Sequence, residues 1–293
     1  MKRLISAILL VALPFPAQLT ADEYSAIHIR TFTRYLIGRG EYYRARLELQ
    51  RLASYHPGSI SPLIFHVTED YVLFKGKQYS SIISKRVTGA EYLLTAADFV
   101  FKCDAYLMRY DYLKAEALLT SWNYGVDMEF DGFVIKRKFS VSFLERKFDE
   151  AEGLRRSGMS DSSAARELLE QARKGGFDEK IPALAAVLGI VPGMGYIYSG
   201  QIATGIIAFL LIALNALVCY YAFRTHNNAI GYITGIIGGF FYAGSIAGAY
   251  LATRRFNMDL RDSMQESVTE KMKLEEDRGR IFDKYGIGRY GKP

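Results

Sequence analysis

Two long uncharged segments decide the fold of the C-terminal half: ATGIIAFLLIALNALVCYYAF at residues 203–223 and AIGYITGIIGGFFYAGSIAGAYLA at residues 229–252. A helix needs about 20 residues to cross the hydrocarbon core of a bilayer, so each segment is long enough to span it. Only residues 224–228 join the two segments. The sequence therefore predicts two transmembrane helices arranged as a hairpin.

Small residues recur along the second segment at a spacing that favours close helix packing. One row has a small residue every four positions and a second row runs beside it; together they contain Gly231, Gly235, Gly239, Ala243, Ala247, Gly244 and Gly248. Such rows let helix backbones approach closely in lipid, and the partner is either the first segment or the same helix of a second copy. Asn215, near the middle of the first segment, is expected to bond a neighbouring helix rather than to mark a transport path.

A broken apolar stretch, IPALAAVLGIVPGMGYIY at residues 181–198, precedes the hairpin. Its interruption at residues 192–195 predicts an interfacial or re-entrant helix rather than a third span. The pattern resembles the segment that opens a family of small two-span bacterial membrane domains, although that family has glutamine where this chain has Tyr196. The residues that carry the resemblance are Pro192, Gly193, Gly195, Tyr198 and Gly200.

Before residue 181 charged residues are dense, and one short motif recurs. In each copy an aromatic residue is followed three positions later by a small or apolar residue. The copies begin at residues 40, 77, 110 and 146, at intervals of 37, 33 and 36 residues, which is close to the length of a helix–turn–helix unit. The residues expected to pack the repeats are Gly40, Tyr42, Ala45, Pro57, Tyr79, Tyr112, Ala115, Phe148 and Ala151.

The first copy carries a family resemblance. Gly40, Tyr42, Ala45 and Pro57 stand at the spacing of the tetratricopeptide repeat. The resemblance implies a solenoid of stacked helical hairpins over residues 22–178, with a concave groove that binds a peptide or protein partner. An irregular all-helical domain with an aromatic core is the alternative. The predicted fold is thus all-α: a helical-hairpin repeat solenoid followed by a transmembrane helical hairpin.

The N-terminus has the pattern of a signal peptide. Lys2 and Arg3 precede an apolar stretch at residues 4–13, which at ten residues is too short to span a bilayer. Cleavage after Ala21 is expected, with Ala17 as the alternative, and retention of the segment is left open. Residues 1–21 are therefore interpreted as the signal peptide, and the repeat domain is expected in the periplasm, anchored to the bacterial inner membrane.

The membrane domain is expected over residues 179–253, and residues 254–293 are interpreted as an amphipathic helical tail with a flexible end. With two crossings the tail is exported, which leaves Arg254 and Arg255 outside against the positive-inside tendency. A third crossing by residues 181–198 would place them inside. That segment is short and kinked, so two crossings are preferred while three stay open. Self-association of the tail and packing on the membrane or the repeat domain are equally open.

Composition excludes several classes of function. The formal net charge is +6, but residues 22–180 hold 24 basic and 23 acidic residues, so no basic stripe indicates nucleic-acid binding. One cysteine, Cys103, lies in the charged half and the other, Cys219, in an apolar segment, so they are not expected to form a disulfide. The four histidines show no metal-ligand spacing. The acidic clusters at residues 69–70 and 275–277 are interpreted as solvated helix faces. No catalytic residue, cofactor or metal site is predicted, and the chain is not expected to be an enzyme.

The resulting hypothesis is a membrane-anchored scaffold of the cell envelope that binds a peptide or protein through its repeat groove. The alternative is an oligomeric membrane assembly, a pore or a transporter accessory in which the transmembrane hairpin is the working part. A homo-oligomer through the glycine-rich second span belongs to that alternative. The sequence names neither the partner nor the pathway.

Overall fold

The computed structural model describes residues 25–85, 92–157, 159 and 162–287, and the predicted signal peptide lies outside this range. All regular elements of the described residues are helical, which confirms the all-α class. Whether the helices form a repeat solenoid of the predicted family stays a prediction. The described helices divide into two compact units, which are treated one at a time below.

The first unit, the array unit, contains residues 25–145 and the returning segment 273–287. Its helices are α1 (Ala26–Gly38), α2 (Tyr42–Tyr55), α3 (Pro62–Lys75), α4 (Tyr79–Ser84), α5 (Tyr92–Met108), α6 (Tyr112–Thr120), α7 (Met128–Leu144) and α14 (Leu274–Tyr285).

The second unit, the hairpin unit, contains residues 146–272. Its helices are α8 (Phe148–Arg156), α9 (Ser162–Arg173), α10 (Pro182–Leu188), α11 (Met194–Tyr198), α12 (Ile202–Arg224) and α13 (Asn228–Lys271). Of the described helices, α12 and α13 are long and apolar enough to span a membrane.

These boundaries differ from the predicted ones at residues 178 and 253. Helix α13 does not end with its apolar segment but continues to Lys271, where Lys271 Nζ lies 2.7 Å from the Glu167 carboxylate of α9. The polar part of α13 therefore belongs with the hairpin unit. The helix ends at Lys271, the chain turns at Lys273, and the next helix, α14, belongs to the array unit. Residues 285–287 belong to the end of the tail that was predicted to be flexible, and they are instead buried. Residues 288–293 lie outside the described range.

Local chemistry explains where the array helices begin. The Ser25 hydroxyl accepts a hydrogen bond from the backbone N–H of residue 28, and Ser61 does the same for residue 64. Asp127 caps α7 by accepting from the N–H groups of residues 129 and 130. These caps satisfy backbone donors that have no partner in the first helical turn.

The four motif copies share one turn. Their leading residues, Gly40, Lys77, Tyr110 and Arg146, all have positive φ, between 57° and 74°. In the first three turns the N–H of the next residue bonds the carbonyl five positions earlier, at 2.8–3.0 Å, as in a Schellman turn. The second helix then begins at the aromatic of the motif in every copy. The recurrent motif therefore corresponds to a recurrent backbone geometry.

The small residue of each motif is fully buried, which permits the close helix approach that the spacing predicts. Ala45, Ile82, Ala115 and Ala151 are all 0% exposed. Helix α2 ends at Tyr55, just before Pro57, whose ring cannot continue a helix. The four aromatics that begin the second helices, Tyr42, Tyr79, Tyr112 and Phe148, are half-buried.

Candidate functional site

One face of the array unit is covered by α14. Helix α5 packs on both α3 and α7, and α14 packs on all three. We call this contact region the α14 seat. Ile281 and Tyr285 of α14 join the main core cluster of the unit. The Phe282 ring stacks on Tyr71 at a centroid distance of 4.1 Å, and Tyr285 stacks on Phe130 at 6.1 Å.

A cluster of buried charges lies in the α14 seat. Arg137 of α7 is fully buried, and its Nε and one terminal nitrogen each donate to the Asp104 carboxylate at 2.7 Å. Asp277 of α14, also fully buried, accepts from Arg137 at 3.3 Å and from Lys136 Nζ at 3.2 Å. Arg278 of α14 donates to Asp104 at 2.6 Å. Both carboxylates are therefore shared between α14 and the array.

Two further contacts define the electrostatics of the seat. The Arg278 guanidinium lies over the Phe74 ring, 4.0 Å from its centroid, a favourable cation–π geometry. Burial by itself lowers the pKa of Arg137, but the carboxylates of Asp104 and Asp277 outweigh it and hold that pKa above its ordinary value. Arg137 is therefore permanently charged in the interior, and its two carboxylate partners are needed to stabilise it.

The edge of the α14 seat is also polar. Glu275 pairs with Lys75 of α3, and Lys284 Nζ lies 2.5 Å from the Glu129 carboxylate of α7. Beyond the helix, the backbone N–H of Ile287 donates to the Thr68 hydroxyl at 2.9 Å, and Ile287 is fully buried. Contacts therefore extend along α14 and past its C-terminal end.

Sequence reasoning placed the clusters at residues 69–70 and 275–277 on solvated helix faces, and this interpretation was wrong for three of the five residues. Glu69, Asp70 and Asp277 are 8%, 1% and 0% exposed. The available signal for Asp277 was its register, because it lies three residues after Leu274 and four before Ile281, two apolar residues of the same helix face.

A second polar cluster lies on α3 and α5 of the array unit. Asp70 pairs with Lys85, whose Nζ is also 3.7 Å from the Glu69 carboxylate. Burial raises the pKa of Asp70 to about 7, against the opposing effect of Lys85. Burial disfavours the charged form of His66 as well, which lowers the pKa of this histidine. One carboxylate oxygen each of Asp70 and Asp98 is buried without a hydrogen-bond partner.

Neither cluster has the arrangement of a metal centre. Within the described ranges, no group of three or more His, Cys, Asp or Glu side chains is placed to hold a metal ion. Cys103 is fully buried, and burial raises the pKa of its thiol well above the ordinary value. Its thiolate, the reactive form, is therefore suppressed.

In the hairpin unit, α12 and α13 pack along part of the predicted glycine row. A Cβ added at Gly231 would lie 2.8 Å from the Phe223 ring, and one at Gly235 would lie 3.5 Å from Cys219 Sγ. The side chain of Asn215 lies against Gly238, where an added Cβ would be 2.2 Å from its Oδ1. The partner of this part of the row is therefore the first apolar helix of the same chain.

The rest of the row behaves differently. A Cβ added at Gly239 or Gly244 would meet no described atom within 4 Å, whereas one at Gly248 would collide with the Tyr196 hydroxyl. The two predicted rows therefore divide into a part that contacts α12, a part that contacts α11 and an open part. Tyr196, the residue that departs from the resembled family, fills the space beside Gly248.

Helices α10 and α11 form a broken pair around the predicted Pro192–Gly195 turn. Gly193 has φ +83°, and a Cβ there would lie 2.1 Å from the carbonyl oxygen of Gly205. At Gly195 it would lie 2.3 Å from the Ala185 carbonyl oxygen and 2.6 Å from the Ala249 Cβ. These glycines are therefore required by close backbone approach. Several apolar side chains that precede the turn are exposed, among them Ile181, Val187, Ile190 and Val191.

The two ends of the apolar region are joined to each other. The Asn257 amide accepts from the Lys180 N–H at 3.0 Å and donates to the Lys180 carbonyl at 2.8 Å. Arg261 donates to both carboxylate oxygens of Glu179, at 2.8 and 3.3 Å. The Tyr198 hydroxyl accepts from the N–H of Ile181 at 3.0 Å. The residues just before the apolar region, Glu179 and Lys180, are therefore bonded to the residues of α13 that follow it, Asn257 and Arg261.

No known protein family, curated protein or solved structure matches the chain.

Proposed function

We propose that the chain is a membrane-anchored scaffold of the bacterial cell envelope, whose array unit binds a helical segment of a protein partner. The observation that carries the proposal is the α14 seat. The face of α3, α5 and α7 takes the amphipathic helix α14 through aromatic stacking and buried ion pairs. Faces of this kind are typical of helix-in-groove recognition.

The first hairpin supports the proposal independently. Helices α1 and α2 expose large apolar side chains, with Ile27, Tyr35, Tyr43 and Tyr55 each more than half exposed. Exposed apolar and aromatic groups gathered on one hairpin indicate a surface that contacts another molecule. A partner helix on the array would have this surface beside it.

The membrane arrangement that we propose has two crossings, by α12 and the apolar part of α13. Helices α10 and α11 dip into the bilayer and return. The backbone of Gly189 packs against Ile246. Eleven residues of helix separate Ile246 from Asn257, which corresponds to a depth of roughly 16 Å. The hydrogen bonds between Lys180 and Asn257 favour an even number of crossings. The signal peptide that the sequence predicts favours a periplasmic array.

A pair of fusions tests this arrangement. A reporter enzyme that is active only in the periplasm should be active when fused after Pro293 and inactive when inserted at residue 226, between the two spans. Activity at residue 226 with none after Pro293 would instead place the array in the cytoplasm. Equal activity at both positions would contradict the two-span hairpin.

The scaffold function is tested by site-specific photo-crosslinking in cells. A photoreactive amino acid at Tyr35, which is 56% exposed on α1, should capture a discrete protein. The matched control carries the same amino acid at Lys114, on the exposed surface of α6. Identical products from the two positions, or none from Tyr35, would count against a specific partner.

The alternative, an oligomeric assembly built on the hairpin, is favoured by the open part of the glycine row. Gly239→Leu should then abolish oligomers, because Gly239 is open to a second copy. Gly235→Leu is the control that disturbs packing against α12 within one chain. Unchanged oligomers in Gly239→Leu would contradict this alternative.

A further inference from the structure

We infer that the α14 seat is an exchange site, in which α14 is the intramolecular competitor of a partner helix that carries a carboxylate at the position of Asp277. The inference rests on the proposed function, and it adds the chemistry of the partner and the state in which the site is closed. In the structure α14 occupies the seat, so a partner helix can bind only when α14 leaves.

The carboxylate requirement follows from α7. Lys136 and Arg137 both donate to Asp277, and all three side chains are at most 5% exposed. When α14 leaves, both side chains lose the Asp277 carboxylate, and the fully buried Arg137 keeps only one of the two carboxylates that it contacts here, that of Asp104. A helix that replaces α14 without an acidic residue at this position would remove a charge partner from a desolvated arginine, which is strongly unfavourable.

The spacing of the buried residues of α14 gives the rest of the recognition pattern. Leu274, Asp277, Arg278, Ile281 and Tyr285 are buried, and they lie at positions i, i+3, i+4, i+7 and i+11 of one helix face. Glu275 and Lys284 flank this face with ion pairs to the array at its edge. The partner that fits the seat is therefore an amphipathic helix with a leucine-like residue, an acid, an arginine, a branched aliphatic residue and an aromatic in this order.

The seat combines charged and apolar contacts, since it buries two carboxylates and three cations beside its stacked aromatic pairs. Helix α13 ends at Lys271, and the exposed Lys273 connects it to α14. A cut at Lys273 therefore separates α14 from the preceding chain.

The test uses the full chain in detergent micelles, with Lys273 replaced by the recognition sequence of a site-specific protease. After cleavage, a fluorescent synthetic peptide of residues 274–287 is added and its anisotropy is measured. Saturable binding is expected to the cleaved chain and not to the uncleaved chain, where α14 competes in cis. Circular dichroism should show that the array stays helical after cleavage.

Two variant peptides make the test specific. Asp277→Asn should weaken binding by about 100-fold, because a buried charge pair is broken. Glu276→Gln removes the same charge from an exposed position and should bind like the original peptide.

Equal affinity of the two variants would overturn the inference. So would a cleaved chain that unfolds or never exchanges its α14, because α14 would then be a permanent part of the core. The inference would also be overturned if the intact chain formed dimers that the free peptide dissociates. That result would indicate exchange of α14 between two copies. Failure of the Tyr35 crosslink with successful peptide exchange would remove the scaffold function and leave the exchange site standing.

Discussion

Replacement of Arg137 by methionine should cause a large loss of stability in the array unit. The guanidinium is fully buried and makes two 2.7 Å hydrogen bonds to Asp104 and one of 3.3 Å to Asp277. Methionine fills the space of the aliphatic part of the arginine side chain but carries no guanidinium and no charge. What is lost is the cation between two buried carboxylates.

The magnitude follows from the cost of breaking a buried ion pair by removing one partner, about 3–5 kcal/mol. Asp104 retains Arg278 and Asp277 retains Lys136, which favours the lower half of that range. Domains of this size are stable by about 5–15 kcal/mol, so the loss is a large fraction of the total. Asp104→Asn should cost more, because two buried arginines, Arg137 and Arg278, would lose their shared carboxylate. In Arg137→Met, by contrast, each of the two carboxylates keeps another cation.

The assay is urea unfolding of the full chain in detergent, followed by tryptophan fluorescence. Trp122 is the only tryptophan of the sequence and belongs to the array unit, where its Nε1 donates to Asp131 at 2.8 Å. With a urea dependence of about 2 kcal/mol/M, the midpoint should fall by roughly 1.5 M. Lys138→Met, a similar change at a half-buried position of the same helix, should shift it little. Equal shifts in the two variants would refute the reasoning.

Three further predictions concern a buried carboxylate and two turns. Asp70 has a pKa of about 7 in the folded chain and about 3.8 when unfolded, so the folded state binds more protons between these values. The stability that Asp70 contributes should therefore be present below about pH 4 and be lost as the pH rises to about 7, and Asp70→Asn should remove this part of the pH dependence in urea titrations. Gly193→Ala should reduce the thermal stability of the hairpin unit, because φ is +83° and the Cβ would collide with the Gly205 carbonyl; Gly239→Ala, with open space, is the control. Lys77→Gly should stabilise the array unit by about 0.5–1 kcal/mol by relieving the left-handed conformation, and a lower urea midpoint would contradict this.

The turns of the array could be predicted because their determinants are local. A positive-φ residue, an aromatic that begins the next helix and a small buried residue one turn later all lie within six positions of the chain. The same holds for the Pro192–Gly195 turn and for the two apolar helices, whose length and composition are sufficient. Three of the four positive-φ positions are not glycine, so the spacing of the aromatics was a better guide than the residue type at the turn.

The α14 seat could not be predicted, because its partners are far apart in sequence. Asp277 lies 140 residues from Arg137, and Arg278 lies 174 residues from Asp104. Helical periodicity shows which residues share a face, but it does not show whether that face meets water or another helix. For the same reason the rows of small residues in α13 predicted close packing but not the division between α12, α11 and open space.

By itself, the amino-acid sequence determined the helical class, the positions of the turns and the two apolar segments, since each depends on residues within one or two helical turns. Only the tertiary structure decided that the C-terminal helix returns to the array and that charged residues on it are buried. The physical reason is that burial of a charge depends on whether its counter-ion is present. For Asp277 and Arg278 the counter-ions come from α5 and α7, which the chain reaches only through folding.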